Sequence, residues 1–208
     1  MFARAVVAAG LALGCVQAET LDRIAVSVGS DVITESQLIL DLRVAAFLDR
    51  KPVNLSGAAK RESAKRLVDQ ILILREAAES HMTLPSTEAA VGLVAPYAGE
   101  KGYQAELKAY GISERDLAAH LLAGLRMLTF TDSRFRPDIQ ISADEVRAYY
   151  NDLAKQPGSA GAPLGSFEES REQIEKLLLE QRVLEALDKW LETARTGARV
   201  RYRDKAFE

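Results

Sequence analysis

The chain has 208 residues, of which 48% are hydrophobic, so it is long enough for one domain with a substantial core and too apolar to be disordered throughout. Its formal net charge is −3, from 30 acidic and 27 basic residues. This balance excludes a broad basic surface of the kind that binds nucleic acid, and the acidic excess is too small to imply a partner.

Residues 1–18 have the pattern of an export signal. Arg4 precedes an apolar run from residue 5 to residue 14, and residues 16–18 fit the small-x-small rule for cleavage after Ala18. This run is too short to span a bilayer, which requires about 20 apolar residues. We therefore predict an exported protein whose mature part is residues 19–208. The alternative is a lipoprotein signal, in which Cys15 would be lipidated and would anchor the chain to a membrane.

The segment after the signal predicts a small hairpin that leads into a helix. Apolar residues alternate over residues 24–28, as in a half-buried strand, and residues 29–31 are typical of a turn. Residues 32–33 then form a short apolar return strand. Thr34 and Gln37 have the spacing of a capping box, so we expect the first helix to begin here.

A second alternating segment lies near the end of the chain, at residues 199–203. Val200 and Tyr202 share one face of this predicted strand, and three arginines share the other. Because a hairpin alone is marginally stable, it needs a partner. We predict that this segment pairs with residues 24–28, so that both ends of the mature chain close one domain.

A long helix is predicted between Ser56, its capping residue, and Ser80. The apolar stripe that we expect to face the core consists of Leu67, Ile71, Leu74 and Ala78. The charged residues near its start predict a solvated face; they are Lys60, Arg61, Glu62, Lys65 and Arg66.

The middle of the chain predicts three further helices. Ser86 is expected to cap the first of them, and Pro96 and residues 99–102 to break it. A short helix is expected at residues 103–110, with Gly111 as its C′ residue. The third begins at Ser113 and ends before Pro137; its apolar side consists of Leu117, Leu121, Leu125 and Leu128.

Two helices and a connector complete the prediction. Ser142 and Glu145 form a capping box that opens a helix over residues 143–153. Residues 154–167 are a flexible connector, since the segment QPGSAGAPLGSF is rich in Pro, Gly, Ser and Ala. The longest helix is expected at residues 168–196. Its predicted buried side consists of Ile174, Leu177, Leu178, Leu184, Leu187, Leu191 and Ala194.

The order of these parts resembles the chaperone module of SurA and its relatives, including the PpiD and PrsA types. Four segments carry the resemblance: IAVSVGSDVITESQL at residues 24–38, LVDQILILREAAESHMTLP at 67–85, ISADEVRAYYN at 141–151, and LLLEQRVLEALDKWLETARTGARVRYRD at 177–204. In that family a parvulin prolyl-isomerase domain normally lies before the last segment. Here its place holds only the connector at residues 154–167.

The resemblance implies a mainly α, multi-helix chaperone domain at residues 19–208, with a small β-sheet formed by the N-terminal hairpin and the C-terminal strand. It implies a periplasmic protein that binds unfolded or exported polypeptides without ATP or another cofactor, as in outer-membrane protein biogenesis. Isomerase activity is not expected. The alternatives are a degenerate prolyl isomerase and a lipid-anchored envelope assembly factor with one folded partner.

No catalytic or metal-binding pattern stands out in the sequence. His81 and His120 are the only histidines, and no His-x-x-His or Glu-x-x-His pattern surrounds either, so both are expected at helix surfaces or ends. Residues 99–102 lack the spacing of a phosphate-binding loop. We therefore expect a binding protein rather than an enzyme.

Aromatic side chains are the predicted contacts to the polypeptide client. Tyrosine combines an apolar ring with a polar tip, which suits a hydrated interface. The alternative for each of these residues is a place in the core, as expected for Trp190. The candidates are Tyr97, Tyr103, Tyr110, Phe130, Phe135, Tyr149 and Tyr150.

Overall fold

The computed structural model describes residues 22–155 and 165–208, which form seven α-helices and three short antiparallel strands. The predicted mainly α class with a small sheet is confirmed. In chain order the elements are β1 Ile24–Val28, β2 Asp31–Thr34, α1 Glu35–Asp49, α2 Gly57–Glu79, α3 Ala89–Ala98, α4 Tyr103–Tyr110, α5 Glu114–Phe135, α6 Ala143–Lys155, α7 Phe167–Gly197 and β3 Val200–Tyr202. The predicted signal segment with Cys15, and residues 156–164 of the connector, lie outside the described residues.

The two ends of the described chain meet in one sheet with the strand order β2-β1-β3. Val26 pairs with Tyr202 and Val28 with Val200, which confirms the predicted pairing of the terminal segments. The side chains of Val26 and Val28 are fully buried. They pack against α2 and Phe207, so a core under the sheet joins the two ends.

The last residues of the chain cover the start of α2. The carbonyl oxygen of Phe207 lies so close to Gly57 that a Cβ on this glycine would be 2.1 Å from it. Lys60 of α2 links the start of α1 to the end of the chain. Its Nζ donates to Glu35 Oε1 at 2.8 Å and to the carbonyl of Ala206 at 3.3 Å. The prediction of a solvated Lys60 is therefore wrong, because this segment folds over it and leaves it 6% exposed.

A second core lies among α1, α3, α4 and α5, with Phe47 at its centre. The Phe47 ring meets those of Tyr103 and Tyr110 edge to face, at centroid distances of 6.4 and 5.7 Å. Two predicted boundaries at α3 are wrong. A turn separates Ser86 from the first helical residue, Ala89, and Pro96 lies inside the last turn, where only its own missing N–H is lost.

The third core joins α2, α5 and α7 around Phe130, which is fully buried and 5.1 Å from the Trp190 ring. The Arg195 guanidinium donates two hydrogen bonds, of 2.7 and 2.6 Å, to the carboxylate of Asp69 on α2. These contacts hold the second half of α7 against the domain.

The first half of α7 packs against α6, and Arg182 donates to the carbonyl of Gln140 at 3.2 Å. With 31 residues, α7 is about 46 Å long. Leu177 and Leu184, predicted to be buried, are 40% and 58% exposed. That prediction is wrong because α6 covers only one side of this part of the helix.

Candidate polypeptide-binding groove

An apolar groove runs between α1, α2 and α5. Its first section begins at β2 and has a cavity volume of about 300 Å³. Its apolar walls come from all three helices. They include Leu40, Val44, Leu67, Ile71, Leu74 and Ala123.

The second section continues toward α3 and has a volume of about 590 Å³. Gln70 and His120 line both sections, so the two sections adjoin at these side chains. The walls of the second section are again aliphatic. They include Leu48, Leu93, Leu121, Leu125, Met127 and Leu128.

The groove stays open because α5 presents small residues to it. Ala119 and Ala123 line the first section and Gly124 lines the second. A Cβ added to Gly124 would meet nothing within 4 Å, so there is open space at this point of the helix. Leu74 is 43% exposed and Leu128 is 65% exposed, so the groove leaves apolar surface in contact with water.

Two stripes that were expected to face the core line the groove along part of their length. On α2, Leu67, Ile71 and Leu74 border the first section, while Ala64 and Val68 are the buried residues next to the sheet. Leu67 and Ile71 are half-buried and also pack against the core under the sheet, as predicted. The prediction is wrong for Leu74 and Ala78, which are exposed, because this helix is apolar on two sides. One side packs on the sheet and on α7, and the other remains open.

The same holds for α5. Leu121, Leu125 and Leu128 border the second section, whereas Leu122 and Phe130 are buried. Leu117 is buried in the second core and Leu121 also packs against that core, so the predicted stripe faces the core at its start and the groove further along. Both stripes were visible in the sequence, but periodicity does not distinguish a covered apolar face from an open one.

A polar cluster lies on the groove floor, where the carboxylate of Asp41 is 4% exposed. Its Oδ2 accepts hydrogen bonds from Ser63 Oγ at 2.7 Å and from Arg66 at 2.6 Å. Its Oδ1 lies 3.3 Å from Nδ1 of His120 and, among the described residues, accepts no well-aligned hydrogen bond. Burial raises the pKa of Asp41, but the contacts with His120 and Ser63 and the charge of Arg66 outweigh it, so this pKa lies below its ordinary value.

The chemistry of this cluster is structural. A serine activated for nucleophilic attack would donate its proton to an imidazole, whereas Ser63 is fully buried and donates to the carboxylate of Asp41. His120 lies on α5, where its half-buried side chain faces Asp41 and lines the groove. His81 does lie at a helix end, directly after α2, with φ of 53°.

The predicted aromatic contacts lie elsewhere. Phe130 and Tyr103 are 0% and 5% exposed, so the prediction of a client surface is wrong for these two. The described lining of the groove contains none of the seven. Tyr97, Tyr110 and Phe135 are partly buried against the second and third cores, Tyr149 is half-buried on α6, and the Tyr150 hydroxyl donates to the Gly165 carbonyl at 3.0 Å.

Within residues 22–155 and 165–208, no group of three or more His, Cys, Asp or Glu residues is arranged to hold a metal ion. In the same part of the chain, no helix is both long and apolar enough to cross a membrane. The apolar groove is therefore the feature on which a functional proposal can be built.

No protein-family model matches the chain, no curated protein matches it, and no solved structure matches it. The functional proposal therefore depends on the groove, together with the resemblance in the four sequence segments. Both are properties of the chain itself.

Proposed function

We propose that the protein is an ATP-independent chaperone that binds unfolded or exported polypeptides in the groove between α1, α2 and α5. The observation that carries this proposal is the aliphatic lining of an open groove, in which Leu74 and Leu128 are largely exposed. Exposed contiguous apolar surface marks sites of interaction in soluble proteins. The volumes of the two sections are in the range of known binding pockets.

The groove favours binding that is reversible without ATP. Each leucine of a client that leaves water for this lining contributes about 1.5–3 kcal/mol when it is fully buried. Ordering a flexible client chain costs about 1–2 kcal/mol for each residue that is fixed. Because the two contributions nearly balance, single segments bind weakly and dissociate spontaneously, which is what a holding chaperone requires.

We further propose that the protein works in the periplasm after removal of residues 1–18. The mass of the protein recovered from the envelope tests this proposal directly. We expect a chain that begins at Glu19. A mass that corresponds to a lipid-modified Cys15 would instead favour the lipid-anchored form.

Dilution of a urea-denatured outer-membrane protein into buffer tests the binding activity through light scattering. We expect the wild-type protein to suppress aggregation at stoichiometric amounts. The double variant Leu74→Ser/Leu128→Ser should lose most of this protection, because it places two hydroxyls in the groove. The matched control is Leu184→Ser on α7, an exposed leucine outside the groove, which should protect like the wild type.

Two outcomes would contradict the proposal. One is a wild-type protein that protects no client among several. The other is equal loss of protection in the groove and control variants, because the effect would then not depend on the groove. A proline-peptide assay tests the degenerate isomerase, and we expect no rate above the uncatalysed one.

A further inference from the structure

β2 has a free edge. Within residues 22–155 and 165–208, the sheet order β2-β1-β3 leaves one side of this strand without a neighbouring strand. Val28 pairs with Asp31 across the two-residue turn, and Ser27 pairs with Val32. On the other side of β1, the Ala25 carbonyl accepts from the Arg203 N–H at 2.8 Å.

The direction of the Val32 backbone follows from this register. Backbone N–H and C=O groups alternate in direction along a strand. Because the Ala25 carbonyl accepts from Arg203, the backbone groups of Ala25 and Ser27 point toward β3, and those of Val26 and Val28 point toward β2. Ser27 and Val32 are therefore a pair without hydrogen bonds between them. The N–H and C=O of Val32 point away from β1, toward the free edge.

This edge forms one end of the groove. Val32 and Ile33 both line the first section, and Val32 is 49% exposed. The Thr34 N–H, one pleat further along, already donates to Gln37 Oε1 at 2.8 Å. Pairing with another chain at this edge therefore centres on Val32.

The charges along the groove specify the partner further. The described lining contains three carboxylates, on Asp41, Asp49 and Asp116, but only one guanidinium, that of Arg66, which pairs with Asp41. Asp116 lies in the first section and Asp49 in the second. Asp49 also contacts Lys51 at 3.1 Å, but both side chains are largely exposed, and such a pair contributes little.

We infer that an extended apolar segment of the client, flanked by lysine or arginine, adds to the free edge of β2 as a short strand. Val32 exchanges backbone hydrogen bonds with it, and alternate side chains of the segment enter the groove beside Leu67 and Ile71. A flanking cation lies near Asp116, which lines the same section of the groove as Val32. This inference rests on the proposed function and names the substrate class for the same groove.

Fluorescence anisotropy with labelled peptides tests the inference. The probe is KTLTLTK, which alternates leucine with threonine and places the two lysines on the same face as the leucines. A copy with its central backbone amides N-methylated should bind about tenfold more weakly, since it cannot donate to the strand edge. The charge-reversed peptide ETLTLTE should also bind about tenfold more weakly, and added salt should reduce this difference.

The variant Val32→Pro removes the corresponding donor from the protein. Proline is tolerated on an edge strand where the N–H faces outward, and the extended backbone of Asp31 suits the position before it. We expect the variant to remain folded by circular dichroism and to bind KTLTLTK about tenfold more weakly. Val32→Thr keeps the N–H and should bind like the wild type.

The inference is overturned if the N-methylated and unmodified peptides bind the wild type equally. Equal binding by folded Val32→Pro overturns it as well, and if that variant does not fold, the N-methylated peptide decides alone. Protection of denatured clients without discrimination among the peptides would remove this inference and leave the proposed function intact. Failure of the wild type to bind either peptides or denatured clients would remove both.

Discussion

His120 and Asp41 meet on the floor of the groove, with Nδ1 of the imidazole 3.3 Å from Oδ1 of the carboxylate. The other carboxylate oxygen accepts from Ser63 and Arg66 of α2. Three helices, α1, α2 and α5, therefore converge on one buried anion. The groove between these helices keeps its shape in part because they share this contact.

Asp41→Asn should reduce the free energy of unfolding by about 2 kcal/mol, because hydrogen bonds to a charged group contribute about 1.5–3 kcal/mol. Urea unfolding followed by circular dichroism measures the change. The matched control is Asp49→Asn on the same helix, where the carboxylate is largely exposed and a change within about 0.5 kcal/mol is expected. Equal effects of the two substitutions would contradict a structural role for Asp41.

The contribution of Asp41 should depend on pH. Because its pKa in the folded protein lies below the ordinary value of 3.8, its stabilising effect is complete above that value and is lost as the pH falls through the folded pKa. The difference in unfolding free energy between the wild type and Asp41→Asn should therefore shrink as the pH falls below about 4. A difference that grows as the pH falls below about 4 would contradict the lowered pKa of Asp41.

Gly57→Ala should destabilise the protein by about 2 kcal/mol, in the range for overpacked sites, because its methyl group would lie 2.1 Å from the carbonyl oxygen of Phe207. The control is Gly92→Ala in α3, where an added Cβ meets nothing within 4 Å. That change should stabilise by about 0.5–1 kcal/mol through helix propensity. Thermal unfolding of both variants should shift in opposite directions, and a shared direction would contradict the close contact at Gly57.

Lys60→Met should cost about 3 kcal/mol, because it removes the cation from a buried pair and leaves Glu35 and the Ala206 carbonyl without this donor. The control is Lys65→Met on the same helix, since Lys65 is exposed and a change within about 0.5 kcal/mol is expected there. Hydrogen exchange of the Val26 and Val28 amides should also accelerate in Lys60→Met. Unchanged exchange would show that the last residues of the chain do not depend on this lysine.

Glu145 should titrate well below other glutamates. Backbone and side-chain hydrogen bonds from Ser142, together with Arg182, lower its pKa from 4.5 to about 2. A carboxyl ¹³C titration by nuclear magnetic resonance measures this value. Arg182→Gln should raise the pKa only part of the way, because the bonds from Ser142 remain, whereas a full return to the ordinary value would mean that Arg182 alone lowers it.

Much of the local structure could be predicted from short-range patterns. Capping residues such as Ser113 and Ser56 lie where helices begin, and Gly111 adopts the left-handed conformation expected after α4. Such signals depend on hydrogen bonds between residues three or four apart, so they are complete in the sequence. The prediction that residues 24–28 pair with Val200 is also confirmed, and its basis was that a hairpin alone is marginally stable and that the last segment has the same alternating pattern.

The groove could not be predicted in this way. The sequence shows that α2 and α5 carry apolar stripes, but Leu74 and Val68 look alike in it, and only the packing of the sheet decides that Val68 is covered. The same holds for Lys60. In the sequence it is one of five charged residues near the start of α2, and its burial depends on the last residues of the chain, which fold over it.

By itself, the sequence determined the helices, their caps and the alternating terminal strands, since each depends on neighbours within one or two turns. Only the tertiary structure decided which apolar faces are buried, which face is left open as a groove, and that Asp41 and His120 lie together. Burial depends on contacts between residues that are far apart in the chain, and periodicity carries no information about what lies opposite a helix face.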